Sequence, residues 1–238
     1  MKTTDTGLMA PVARRLLVAA ALLAACGASL AHGIAGGDAA FVAGNHGVQA
    51  IPYLYLGAKH MVTGYDHLLF LAGVIFFLYR VRDVALYATL FAIGHSTTLL
   101  LGVLANVRAD AHVVDALIGF SVVYKAFENL GGFARLGWRL DTRAAVLLFG
   151  LAHGFGLATK LQDLHPARDG LVANMISFNI GVELGQFCAL ALILIAFDAW
   201  RRRASFLQAA WGTNVLLMAA GFTLMGYQLA GYFVARGT

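Results

Sequence analysis

Charge is what this sequence has least of. Of its 238 residues only 12% are Asp, Glu, Lys or Arg, while 60% are hydrophobic. An ordinary soluble domain carries about twice that share of charge. So few charges cannot cover so apolar an interior in water, and the same excess excludes a disordered chain. Proline occurs only 3 times, leaving long runs free to stay helical. The two cysteines, Cys26 and Cys188, lie far apart inside apolar stretches, which excludes a disulfide framework and a CxxC metal or redox motif. No Walker A sequence is present, which argues against a nucleotide-driven pump. The net charge is +5, but its basic residues stand one to three at a time between apolar runs. No basic stripe is available to a phosphate backbone, so no nucleic acid is expected as a partner.

What the sequence does have is glycine, at 27 residues, and long apolar runs. Abundant glycine in such runs fits helices that approach closely in lipid. The expected partner of the chain as a whole is a bilayer.

The N-terminus reads as a secretory signal over residues 1–31: Arg14 and Arg15, an apolar core from Leu16 to Ala25, and the small-x-small sequence Ser29-Leu30-Ala31 before His32. Leu23-Ala24-Ala25-Cys26 offers a rival, a bacterial lipobox, but polytopic proteins are seldom lipoproteins. Residues 32–52 form a short, Gly-rich segment expected to be extracytoplasmic and mobile. Residues 53–238 are expected to be an all-α, six-helix transmembrane domain, from apolar segments at roughly 53–79, 84–104, 112–130, 143–161, 172–198 and 207–235. Each is long enough for a hydrocarbon core of about 30 Å. With the mature N-terminus outside, the cytoplasmic loops hold Arg80 and Arg82, then Arg135, Arg139 and Arg143, then Arg201, Arg202 and Arg203, as the positive-inside bias requires. The expected location is a bacterial inner membrane with both mature termini periplasmic.

The chain also matches itself at an offset of 58: Phe91 and His95 fall on Phe149 and His153, Ile118, Phe120, Ser121 and Val122 on Ile176, Phe178, Asn179 and Ile180, and Lys125 and Glu128 on Glu183 and Gln186. The second and third segments would then repeat as the fourth and fifth in parallel orientation.

Ionisable residues inside lipid are costly and need a partner or a task. Segment midpoints fall near Asp66-His67, His95, His153 and Glu183, so three imidazoles and two carboxylates share one depth. Imidazole with carboxylate suits first-row metals, and a carboxylate beside a histidine also fixes its tautomer. Asn179, Glu183 and Gln186, at i, i+4 and i+7, form one polar helix face. His60 and His67 share a face but lie about 10 Å apart along a regular helix. Unless the helix breaks near Gly64, they form two stations, an outer one at His60 and a central one at His67. Lys125 and Glu128 are either a structural ion pair or part of a charge-compensating path. His32, first after cleavage, offers an amine and an imidazole together, a chelate for copper or nickel.

His60-Met-Val-Thr-Gly-Tyr-Asp66-His67 resembles the HxxxxxDH signature of the HupE/UreJ family of bacterial membrane permeases. Gly94-His95-Ser96, Glu128-Asn129-Leu130, Gly150-Leu-Ala-His153-Gly154-Phe-Gly156 and Ser177-Phe-Asn179-Ile-Gly-Val-Glu183-Leu-Gly-Gln186 are similar to motifs of its second branch. The resemblance implies transition-metal uptake: nickel for hydrogenase or urease assembly in one branch, copper or cobalt handling in others. The nickel-type second motif flanks its AHG core with another histidine and a glutamate, and here Phe149 and Gly156 stand in those places. The expectation is a permease whose substrate is nickel, copper or cobalt, with His60, Asp66, His67, His95, His153 and Glu183 as metal residues. His32, Glu128, Asn179 and Gln186 would form an accessory polar pathway. No organic cofactor is expected, and a homo-oligomer or a metallochaperone partner is left open. The competing readings are an intramembrane zinc hydrolase and a haem electron carrier with His95 and His153 as axial ligands.

Overall fold

The computed structural model describes residues 36–44 and 46–237. The expected signal peptide at 1–31, Cys26 and His32 lie outside the described residues. Within them every regular element is helical. A short α1 (Gly36–Gly44) precedes α2 (Ala50–Thr63) and α3 (Tyr65–Ile75). Then come α4 (Val81–Ala105), α5 (Ala111–Asn129), the single turn α6 (Gly132–Arg135), α7 (Thr142–Asp163), α8 (Leu171–Arg201) and α9 (Phe206–Gly237).

The helix ends follow local chemistry. Asp110 caps α5 by accepting from the backbone N–H groups of His112 and Val113, and Asp141 caps α7 by accepting from that of Arg143. Asn106, left-handed at φ 54°, ends α4 and lets the Val107 N–H reach the carbonyl of Gly102. Helix covers most of each of the six apolar segments. Among the described residues, α4, α7, α8 and α9 are long and apolar enough to cross a membrane. The first segment is two helices rather than one, and α5 carries Asp115, Lys125 and Glu128 within its 19 residues.

Three helix pairs dominate the architecture: α4 with α7, α2 with α8, and α5 with α9. Glycine makes each possible. Gly57 of α2 faces the carbonyl of Phe178 and Gly181 of α8 faces that of Leu54, so a Cβ at either position would overlap backbone. Gly94 and Gly150 oppose the carbonyls of Leu147 and Phe91 in the same way, a Cβ meeting each at 2.5 Å. Gly119 and Gly221 face one another across α5 and α9. In lipid, where apolar side chains gain little by leaving one apolar medium for another, such backbone approach is the main source of helix affinity. Of the expected repeat, the first helices α4 and α7 lie side by side, while the second helices, α5 and α8, take different partners, α9 and α2.

The Gly-rich segment at 32–52 is described in part. Its described part folds as α1, whose Val42 is fully buried and whose Phe41 ring meets Tyr53 of α2 at 6.3 Å. Asp38 pairs with Lys59 at 2.6 Å. Farther on, the Gln49 N–H donates to Asn174 Oδ1 (2.7 Å) and Asn174 Nδ2 donates to the carbonyl of Gly47 (3.0 Å), tying the approach to α2 onto α8. Composition alone hides these links, because each depends on a partner elsewhere in the chain.

Candidate metal centre

The centre begins with a broken helix. At Gly64 the backbone is extended (φ −75°, ψ 96°), so this one residue ends α2, donating to the carbonyl of His60 at 2.9 Å, and starts α3, accepting from the Leu68 N–H at 3.1 Å. Glycine suits the position by size: a Cβ would stand 2.9 Å from His67 Nδ1 and 3.2 Å from Asp66 Oδ1. The break interrupts the regular helical rise between His60 and His67. His60 and His67 rings, expected at separate stations, lie 5.2 Å apart edge to face. The two-station picture is therefore corrected: it assumed a regular rise across a residue at which the helix stops.

Around this pair the other histidines assemble. His67 of α3 stacks on His153 of α7 at 4.8 Å and meets His95 of α4 at 5.9 Å. His67, His95 and His153 are 3%, 1% and 1% exposed, and His60 is half-buried. One turn beyond His95, Thr98 donates to the carbonyl of Leu151 at 2.7 Å, holding α4 and α7 together beside the cluster. Asp66 orients the set. Its Oδ1 accepts both the His67 N–H and His67 Nδ1, each at 2.8 Å. With the carboxylate ionised and the imidazole neutral, Nδ1 carries the proton and Nε2 keeps its lone pair.

That lone pair has no hydrogen-bond partner among the described residues. Nor have His60 Nε2 and both ring nitrogens of His95 and of His153. Buried polar atoms are almost always hydrogen-bonded, so six partnerless nitrogens in one place call for an explanation. Among the described residues no three His, Cys, Asp or Glu side chains stand ready to hold an ion. Binding one would therefore require the rings to turn about their side-chain torsions. The walls are aromatic: Phe91 stacks on His95 (6.0 Å) and sets its ring against His153 (5.0 Å), Phe70 meets His153 at 5.6 Å, and Phe178 meets His60 at 6.3 Å. Sequence reading noticed Phe91 only as half of a repeat. Its i, i+4 spacing to His95 was the signal that its ring would lie over that imidazole. A haem between His95 and His153 does not fit, since its macrocycle would have to displace both the His67 and Phe91 rings that touch them.

The remaining expected residues lie elsewhere. Glu183 of α8 is not brought to the histidines; it is half-buried and accepts from Ser96 Oγ at 3.4 Å, at the α4–α8 seam. Gln186, 3% exposed, donates to the carbonyl of Ala88. Asn179 is buried with its Oδ1 unpartnered. Glu128 accepts from Lys125 at 2.6 Å and from Thr142 Oγ1, a structural tie between α5 and the start of α7. At Gly156 a Cβ would stand 3.0 Å from a Val114 methyl, so the glutamate of the nickel-type motif would have to push that side chain aside.

Long apolar helices joined through glycine around buried ionisable groups define a multi-pass membrane protein. Residues 37–236 match a family model described as HupE / UreJ protein. The chain belongs to the HupE/UreJ family, a transporter-type family associated with metal transport. Comparison with the curated proteins and with the solved structures gave no match.

Proposed function

We propose that the chain is a permease that carries a first-row transition-metal ion, nickel, copper or cobalt, across a bacterial inner membrane. One observation carries the reading: four imidazoles from α2, α3, α4 and α7 gather in a buried, aromatic-walled site with six ring nitrogens that have no hydrogen-bond partner among the described residues. Neutral imidazole is a ligand for such ions, and leaving it unpaired in a low-dielectric interior is costly unless a guest relieves it. His60, His67, His95 and His153 bind the cargo, and Asp66 holds His67 in the tautomer that presents Nε2. The absence of a preformed cage suits a transporter, which must release its ion as well as bind it.

In this reading the α2–α3 pair and α4, α5, α7, α8 and α9 make six crossings after removal of residues 1–31, with both mature termini periplasmic. Asn179 and Gln186 belong to the polar surroundings of the path, and His32 captures metal outside. Uptake of nickel, copper and cobalt, each offered separately to proteoliposomes, tests the proposal. At least one should enter faster than in protein-free vesicles, and His67→Ala should remove that excess. Passage of none of the three would overturn the reading.

A further inference from the structure

Outside the imidazole cluster, a cleft of about 360 Å³ opens between α4 and α8. Its walls are mostly apolar, with Ile93 and Phe187 exposed at its rim. Five oxygen-bearing side chains line it, Thr89, Ser96, Thr97, Glu183 and Gln186, of which Thr97 spends its hydroxyl proton on the carbonyl of Ile93. Glu183 has no countercharge, for among the described residues no Lys, Arg or His nitrogen lies within 4.0 Å of its carboxylate. Its hydrogen bond from Ser96 is long, at 3.4 Å. Gln186 adds an independent sign. Its Nε2 is committed to the carbonyl of Ala88, another cleft residue, at 3.0 Å, while its Oε1, on a side chain only 3% exposed, has no hydrogen-bond partner among the described residues.

A carboxylate, an amide oxygen and a hydroxyl, with no imidazole or sulfur among them, form a donor set for a hard cation. Charge then selects the valence. One carboxylate in a low-dielectric cleft neutralises one positive charge, whereas calcium or magnesium would leave an excess charge that the membrane interior penalises. A carboxylate is also a strong-field ligand, which favours the smaller of the common monovalent ions. We propose that the α4–α8 cleft is a sodium site, held by Glu183, Gln186 Oε1 and Ser96. Ser96 follows His95 directly in α4, so an ion here touches the helix that carries one of the four imidazoles.

The test is equilibrium binding of radioactive sodium to the full chain in lipid nanodiscs, in choline buffer with no transition metal present. Its outcome is thus independent of what the imidazoles carry. Saturable binding is expected, displaced by unlabelled sodium at lower concentration than by potassium. Glu183→Gln should weaken it about tenfold or more, the scale of losing one charged ligand, with helical content unchanged by circular dichroism. Gln186→Glu, which adds a second negative charge, should turn preference toward calcium. No saturable sodium binding, equal displacement by potassium, or full binding in folded Glu183→Gln would each overturn the assignment.

Discussion

Two polar regions lie within this apolar bundle, and they are built oppositely. Where α5 meets α7 and α9, charged and amide side chains pair with one another. Lys160 binds both oxygens of Asp115 at 2.9 Å, Gln228 donates to Asp115 at 3.3 Å, and His112 meets Gln228 Oε1 at 2.9 Å. Nearer the other end of α5, Lys125 and Thr142 both serve Glu128, while Asn129 donates to the carbonyl of Gly73 and to Asn214. The histidine cluster is at least as buried, yet only His67 Nδ1 has a hydrogen bond there through a carboxylate, and six ring nitrogens have none. A satisfied network gains stability by joining helices; an unsatisfied one loses it unless something else completes the coordination. The first region holds the scaffold together, and the second is, on the proposed function, where the ion would complete the coordination.

The largest effect that would break this contrast is at the cluster. His67→Ala or His153→Ala should abolish metal uptake at every external concentration while insertion is preserved. His60→Ala should do the same, because its ring lies 5.2 Å from that of His67 in one shared site. A series of uptake curves at matched incorporation checks this. Rescue of His60→Ala by added metal would restore the idea of a separate outer station. Purified wild-type protein should also be stabilised against heat by its metal, by about 2.7 kcal/mol at a hundredfold excess over Kd. His153→Ala should lose that gain.

A smaller effect is expected at Asp66, which acts through His67. Asp66→Asn replaces the charged acceptor for Nδ1 with a neutral amide that can also turn its donor toward the ring, and should weaken metal binding about 10- to 100-fold, as changes behind a ligand do. Binding titrations measure it. Rescue by Asp66→Glu, even in part, would separate orientation of the ring from mere folding.

Much of this contrast was legible before any coordinates, and its limits are instructive. Composition and run length gave the membrane helices, and segment midpoints brought His67, His95 and His153 to one depth, where the structure has their rings in contact. Depth is a one-dimensional quantity, however. It carried no information on which side of α8 faces the cluster, so Glu183 was grouped with histidines although its side chain lies at the α4–α8 cleft beside Ser96. The regular rise of a helix likewise separated His60 from His67, because a glycine within an apolar run does not announce whether it kinks the chain or merely lets a neighbour approach. Gly57 and Gly64 lie seven residues apart in the sequence; the first serves contact with α8 and the second breaks the helix.

Gly64→Ala sharpens that point. The added Cβ would sit 2.9 Å from His67 Nδ1 and 3.2 Å from Asp66 Oδ1, tight enough that the Asp66–His67 pair must shift. Alanine also favours a continued helix by about 1 kcal/mol over glycine, which would draw His60 away from His67. Metal affinity should fall about tenfold, the equivalent of 1.4 kcal/mol, without loss of insertion. Unchanged affinity would mean that the break is imposed by the surrounding helices and not by this residue.

The smallest effect on transport should come from the satisfied network, and it tests the contrast from the other side. Lys160→Met keeps the length and apolar stem of the side chain but removes the ammonium that both Asp115 oxygens share. Asp115 would retain only its longer bond from Gln228, leaving a largely buried carboxylate short of partners at the junction of α5, α7 and α9. Breaking such a pair from one side should cost about 1–3 kcal/mol of stability, seen as a lower unfolding midpoint in detergent. Asp115→Asn in the same chain removes the stranded charge and should recover part of that loss, since two neutral partners tolerate each other better than one orphaned ion. Uptake per folded molecule should stay near wild type in both variants, because neither residue contacts a cluster histidine. If Lys160→Met instead stopped uptake at full stability, the ion would have to pass along the α5–α7 seam, and the division between scaffold and open site would fail there.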